Sequence, residues 1–361
     1  MSGLTNLLFL VETNSVKLKQ QTTDMPRLTR QIVIAVSLAF VFCILVGREL
    51  TVNAEDPAAS AKSGDRVVAK VIDLWPNTPP HWAGTAEKEH DTTTSNGDLI
   101  AGKPVIRLGY VSKPQLHFYQ ADAFPGPMKN PNADTIVLIC PGGGYSILAW
   151  DLEGTEIASR FNSLGVSAGV VKYRVPTRQS DEAWLAPVQD IQRAVSQIRS
   201  MAMSEGTSNT RVGLVGFSAG GNAAARVATA AGKRFYAPVD AIDEASCQVD
   251  FAGLVYPWLM VDDPASGKGF NAESTNRQGI ISDLTITSST PPMFFAHAID
   301  DRISCYNSIQ LFSVLKSSGV PAELHVFASG GHGFGARDKE LPAAIWPEQM
   351  VRWLSVEGSG K

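Results

Sequence analysis

Apolar and polar positions alternate in blocks along most of this chain. Thr135-Ile136-Val137-Leu138-Ile139-Cys140 is a continuous apolar run with β-branched residues, the pattern of a strand covered on both faces. Glu153 to Leu164 follows with helical periodicity and stops at Gly165. Val166 to Tyr173 reads as a second buried strand, and Ala186 to Met203 as an amphipathic helix with Val188, Ile191, Val195 and Ile198 on one face. Val212, Leu214 and Val215 carry a third strand, and the alanine-rich stretch from Ala223 to Ala228 a helix. Strands are predicted at Val249–Tyr256, Pro292–His297 and Glu323–Phe327, and helices at Ile303–Ser318 and Pro342–Ser355. Such alternation predicts an α/β fold: a mostly parallel central sheet with helices on both faces. Upstream, residues 67–75 read as a strand or extended entry segment, and Asn77 to Gly102 as loop. Val105–Val111 and Gln115–Tyr119 read as two strands broken by Pro114, an antiparallel start to the sheet. Trp258 to Ser289 interrupts the alternation, and residues 258–290 are expected to form a loop-rich lid or pocket wall.

The N-terminal end departs from this pattern. Arg27 and Arg30 precede an apolar run from Ile32 to Val46, and Val52-Asn53-Ala54 precedes acidic Glu55-Asp56. That is the layout of a secretory signal peptide over residues 25–54, cleaved before Glu55, and the run is short for a membrane span. Met25 is the expected start, with residues 1–24 lying upstream of it, and residues 55–64 form a linker to a domain over 65–361. The expected location is therefore exported, periplasmic or secreted, with no stable membrane partner after cleavage; a retained N-terminal anchor is the alternative. Beyond the signal the chain keeps Cys140, Cys247 and Cys305, an odd number, and a core this large does not need disulfides. No Cys/His spacing resembles a metal site. A formal net charge of −4 without a dense basic stripe argues against a nucleic-acid partner.

The chemistry gathers at strand ends. Gly216-Phe217-Ser218-Ala219-Gly220 joins a strand to a helix, and a nucleophile on so sharp a turn needs small neighbours. The pentapeptide recurs by chance, and a serine there can also serve as a helix cap. Its surroundings favour catalysis. Pro141-Gly142-Gly143-Gly144-Tyr145 follows a strand, and glycines there let backbone N–H groups approach developing negative charge. Asp300 and Asp301 follow another strand; the spacing into the next helix favours Asp300 as the acid that orients a histidine, with Asp301 as the alternative. His332, between glycines after the last strand, suits a general base, whereas His297 and His325 read as structural. Tyr145, Trp150 and Trp258 could stack on sugar or simply pack. Ser, Asp and His thus occur in the chain order of the α/β-hydrolase fold.

From Trp75 to Trp353 the chain resembles the α/β-hydrolase superfamily, and within it the exported bacterial esterases that include acetylxylan esterases. The resemblance rests on Leu74-Trp75-Pro76, Pro141–Tyr145, Gly216–Gly220, Tyr256-Pro257, Asp300-Asp301, Asn307-Ser308 and Gly330–Gly335. It implies Ser218 as nucleophile, His332 as base, Asp300 as acid, and the N–H groups of Gly143, Gly144 and Ala219 as the oxyanion hole, with no cofactor and no metal. Lipase-type enzymes carry His where this chain has Pro141, and the group has Pro where this chain has Ser304. The expected activity is a serine carboxylic-ester hydrolase that removes small acyl groups, acetyl above all, from a small-molecule or polysaccharide ester such as acetylxylan. A serine peptidase of the prolyl-oligopeptidase type shares the triad, though it normally carries a propeller domain for which there is no room here. A non-catalytic carbohydrate-binding relative is the other alternative. A xylanase needs two carboxylates astride a glycosidic bond, which adjacent Asp300 and Asp301 cannot supply.

Overall fold

The computed structural model describes residues 70–121, 130–207, 209–261 and 278–357. The chain divides into residues 1–66 and 67–361, and all described residues belong to the second unit. The expected start, signal peptide and linker thus lie outside the described residues. Among those described, no helix is long and apolar enough to cross a membrane.

Eight strands form the central sheet: β1 (Lys70–Asp73), β4 (Gln115–Tyr119), β5 (Thr135–Cys140), β7 (Ser167–Lys172), β8 (Arg211–Phe217), β9 (Phe251–Val255), β10 (Met293–Ala298) and β11 (Ala322–Phe327). Their spatial order is β1-β4-β7-β5-β8-β9-β10-β11. β1, β4 and β7 pair antiparallel, and every pairing from β7 to β11 is parallel. A smaller antiparallel sheet holds β2 (His90–Asp91), β3 (Arg107–Gly109) and β6 (Leu148–Ala149). The antiparallel start is therefore built differently from the sequence expectation. β4 pairs with β1 and β7, whereas β3 lies in the small sheet. Pro114 cannot donate to a ladder but its carbonyl accepts from Leu74 N, so the chain turns there toward β1.

Among the described residues five α-helices flank the sheet: α1 (Glu156–Ser163), α2 (Leu185–Ser204), α3 (Ser218–Thr229), α4 (Tyr306–Ser317) and α5 (Trp346–Glu357). Alternate residues of β5 enter two cores. Val137 and Ile139 join Ile157, Phe161, Trp346 and Met350 from α1 and α5. Leu138 and Cys140 join Val188, Ile191, Ala223 and Leu311 from α2, α3 and α4. Burying one such side chain stabilises by about 2 kcal/mol, which is why the middle strands read as unbroken apolar runs. α1 is preceded by a π-helical turn, Asp151–Thr155, that sequence periodicity does not distinguish from α-helix. The expected lid is partly outside the described residues. Its described end, 278–289, contributes Ile280, Leu284 and Ile286 to the core, while Asn307 Oδ1 accepts the Met260 and Val261 amides. Cys140, Cys247 and Cys305 are free thiols.

Candidate active site

Ser218 stands where β8 ends and α3 begins. Phe217 is extended (φ −111°, ψ 132°), and Ser218 swings to φ +50°, a left-handed conformation that costs a non-glycine residue about 1–2 kcal/mol. Glycines make this reversal possible. A Cβ on Gly216 would come within 2.4 Å of the Gly220 carbonyl oxygen, and one on Gly220 within 2.1 Å of the Cys140 carbonyl oxygen. Ala219, in the first turn of α3 and next to the serine, has an amide without an intrahelical partner at the positive end of the helix dipole.

His332 reaches this serine from the loop after β11. Gly331 (φ +63°) and Gly333 (φ +79°) adopt conformations that a side chain would resist, and the imidazole is carried inward between them. Its Nε2 lies 2.9 Å from Ser218 Oγ and its Nδ1 2.8 Å from Asp301 Oδ2. A carboxylate can only accept, so Nδ1 carries the proton and Nε2 presents a lone pair to the serine hydroxyl. The expectation of Asp300 is corrected here: Asp301 is the residue on His332. Asp300 Oδ1 instead accepts the Gly331 amide at 2.8 Å and braces the histidine loop from outside. The physical reason is the length of β10. Its pairing runs through Ala298↔Phe327, and Ile299 N still bonds the Phe327 carbonyl, so the turn comes later and brings the second carboxylate inward.

Asp301 is fully buried and accepts three N–H donors: His332 Nδ1, Ile303 N at 2.7 Å, and His297 Nε2 at 3.3 Å. Burial alone would raise its pKa. The hydrogen bonds from His297 and His332 outweigh that and hold the carboxyl below its ordinary value. His297 is structural, as expected: Nε2 also faces the Ile303 carbonyl and therefore donates, while Nδ1 takes the Ser308 hydroxyl at 2.8 Å.

The glycine loop after β5 forms the facing wall. Gly142 N is engaged, donating to Glu153 Oε2 at 2.7 Å. Gly143 and Gly144 border the cleft that contains Ser218 and His332, and neither amide donates to an acceptor among the described residues. Together with Ala219 N they are the available donors for an oxyanion. A Cβ on Gly143 would fall 2.1 Å from the Ile147 carbonyl oxygen, so only glycine fits.

Two residues behind the triad were not legible as site residues. Glu153, in the π-helical turn, is buried; besides Gly142 N it accepts the Tyr256 hydroxyl at 2.9 Å. That hydroxyl in turn accepts Gly335 N at 3.1 Å, and the Tyr256 ring packs edge-on against the His332 ring. One carboxylate thereby ties the glycine loop to the histidine loop. Burial pushes the Glu153 pKa up, opposed by the charge of His332 and by the Tyr256 and Gly142 hydrogen bonds. The only sequence signal was the Tyr256-Pro257 dipeptide; Glu153 looks like any first-turn acid of a helix.

The cleft has a volume of about 400 Å³. Of the three aromatics considered for sugar stacking, Trp258 alone lines it. Tyr145 is buried with its hydroxyl on Asn222 Oδ1, and Trp150 packs against both cores and the His117 ring. A neighbouring hollow of about 540 Å³, lined by His81, Trp82 and Arg178, holds none of the triad. No cluster of three metal-ligating side chains occurs among the described residues.

Comparison with known proteins follows the same lines. The profile of the prolyl oligopeptidase family matches residues 185–356, which carry all three triad residues. An acetylxylan esterase of Xylanibacter ruminicola is 29% identical over 219 residues, covering 57% of this chain and 42% of that protein. Endo-1,4-beta-xylanase B of Butyrivibrio fibrisolvens is 26% identical over 218 residues, 57% of this chain and 33% of its own length. The chain thus spans less than half the length of both relatives. Among solved structures, an acetyl ester-xyloside bifunctional hydrolase from Caldicellulosiruptor lactoaceticus superposes with a TM-score of 0.57 at 26% identity, over 80% of this chain and 97% of that one. The chain has the α/β-hydrolase fold and, within that superfamily, resembles the acetylxylan esterase-like enzymes.

Proposed function

We propose that this protein is a serine carboxylic-ester hydrolase that removes small acyl groups, acetyl in particular, from carbohydrate. One observation carries the reading: Ser218, at φ +50° on its turn, lies 2.9 Å from a His332 whose other nitrogen is held by buried Asp301. His332 Nε2 takes the Ser218 proton as Oγ attacks the ester carbonyl. The carbonyl oxygen, now anionic, is held by the amides of Gly143, Gly144 and Ala219. Collapse expels the alcohol, which receives the proton from His332, and leaves an acyl-Ser218. Water, deprotonated by the same nitrogen, then releases the acid and restores the serine. The likeness to an acetylxylan esterase and to an acetyl ester-xyloside hydrolase supports acetylated xylan as the first substrate to try. Export through residues 25–54 belongs to this reading and places the enzyme where polysaccharide is found.

The test is acetate release from acetylated xylan and hydrolysis of p-nitrophenyl acetate, run beside fluorophosphonate labelling of wild type and Ser218→Ala. Label and turnover both lost in Ser218→Ala is the expected result; equal turnover in the two proteins overturns it. The family match over residues 185–356 favours a peptidase as the second reading. Cleavage of a prolyl p-nitroanilide without ester hydrolysis would select it.

A further inference from the structure

Three arginines, Arg107, Arg178 and Arg302, line the cleft around Ser218, although the chain as a whole carries a net charge of −4. Arg178 and Arg302 are exposed, and neither forms an ion pair with a carboxylate among the described residues. Several guanidinium groups elsewhere in the fold are matched: Arg174 holds Asp190, Arg226 holds Asp283, and Arg337 holds Asp151 and Glu156. Arg107 faces Asp91 and is partly offset by it. Two carboxylates line the cleft, Asp98 and Glu153, and both oxygens of Glu153 are already taken by Gly142 N and Tyr256 Oη.

Arg178 is also held in place. Its Nη1 donates to the Gly144 carbonyl at 3.2 Å, and its guanidinium lies 4.9 Å from the centre of the Trp258 ring. It therefore stands beside the loop whose amides face the reacting carbonyl, with further N–H donors left over. Arg302 directly follows Asp301, so the second cation belongs to the turn that supports His332. A neutral acetyl ester makes no use of two guanidinium groups; an oxyanion that accepts two parallel N–H bonds is what such a fork is shaped to bind.

We propose that the preferred substrate carries a negative charge close to the ester: an O-acylated acidic sugar, its anion a uronate carboxylate or a sulfate, bound by Arg178 and Arg302. This rests on the esterase reading above and names its substrate class. Three methyl glycosides acetylated on the same ring positions test it, a glucuronoside, a sulfated glucoside and the neutral glucoside, with p-nitrophenyl acetate as an uncharged control. A charge-assisted contact of this kind makes kcat/KM for an anionic sugar on the order of tenfold above the neutral one. That ratio shrinks at about 1 M salt, where screening acts beyond ~3 Å, and falls severalfold in Arg178→Gln and in Arg302→Gln. Whichever charged sugar leads identifies the anion. Equal kcat/KM for all three glycosides, with p-nitrophenyl acetate still hydrolysed, overturns the proposal. Calorimetric binding of the same glycosides to Ser218→Ala reads the preference without turnover. Tighter binding of an anionic sugar there upholds the proposal even if the esterase reading fails, and equal binding overturns it.

Discussion

Replacing Asp301 by Asn, with Asp300→Asn as its partner experiment, isolates the acid of the triad. Asp301 presents acceptors to His332 Nδ1 at 2.8 Å, Ile303 N at 2.7 Å and His297 Nε2 at 3.3 Å, and its carboxyl is shielded from water. An asparagine has one acceptor oxygen. If that oxygen stays on Ile303 N, the amide NH2 faces His332 and favours the tautomer with its proton on Nε2, which cannot accept from Ser218. If the amide flips, NH2 meets the Ile303 N–H and a buried donor is stranded at about 1–3 kcal/mol. The tautomer effect governs the rate, and a loss of about 10⁴-fold in kcat is expected, as for other triads. Asp300 accepts one exposed bond, from Gly331 N, which the asparagine oxygen keeps; losing the charge weakens it by at most about 1 kcal/mol, so Asp300→Asn loses no more than roughly fivefold. Steady-state hydrolysis of p-nitrophenyl acetate measures both, with thermal unfolding to confirm that each variant is folded. An Asp300→Asn loss equal to or larger than that of Asp301→Asn would refute the assignment and the reasoning from the end of β10.

Other consequences are as direct. Gly143→Ala forces a Cβ to within 2.1 Å of the Ile147 carbonyl oxygen at φ +130°; displacing that amide lowers kcat by about 10²–10³ while a fluorophosphonate still labels Ser218. Glu153→Gln keeps an acceptor for Gly142 N but none for the Tyr256 hydroxyl, so kcat falls about tenfold. Its melting temperature moves little, because a buried carboxyl that resists ionisation is removed at the same time; a large drop in stability would contradict this. Burial holds His117 down at about 4, with Lys172 adding to the effect, against about 6.5 unfolded. The unfolded chain then binds the extra proton between those values, so stability is full above about 6.5 and is lost as pH falls toward 4. Melting temperatures across that window should fall less steeply in His117→Phe. Asp301, held below its ordinary value, adds a further loss at lower pH as its carboxylate protonates.

The described structure also explains why the site tolerates a strained serine. Gly142, Glu153, Tyr256 and Gly335 form a continuous hydrogen-bonded chain, and Trp258 N bonds the Ser218 carbonyl at 3.0 Å. The loops around Ser218 are thereby tied together by backbone and buried side chains, with Asp300 and Arg178 adding bonds from the surface, which is the preorganisation that electrostatic stabilisation of an oxyanion requires.

By itself the sequence determined the alternating α/β architecture, the turn at Ser218, the glycine loop after β5, and His332 as the residue that meets the serine. The first three are local matters, and His332 follows from its place after the last strand, third in the order Ser, Asp, His. Unbroken apolar runs separated by helical stretches need a sheet covered on both faces, and a turn that places glycines two residues either side of a serine admits few backbones. Tertiary structure alone decided the rest. Asp300 and Asp301 differ only in which side of the chain they emerge from, and that depends on how far β10 stays paired with β11. β3 was drawn into a separate small sheet by partners distant in sequence, which no local pattern announces. Glu153 acquires its place behind the triad, and Arg178 and Arg302 theirs beside it, because the carboxyl ends of β5, β7, β8, β10 and β11 converge at one end of the sheet. Convergence of that kind is a property of topology, and a single charged residue in a loop carries no mark of it.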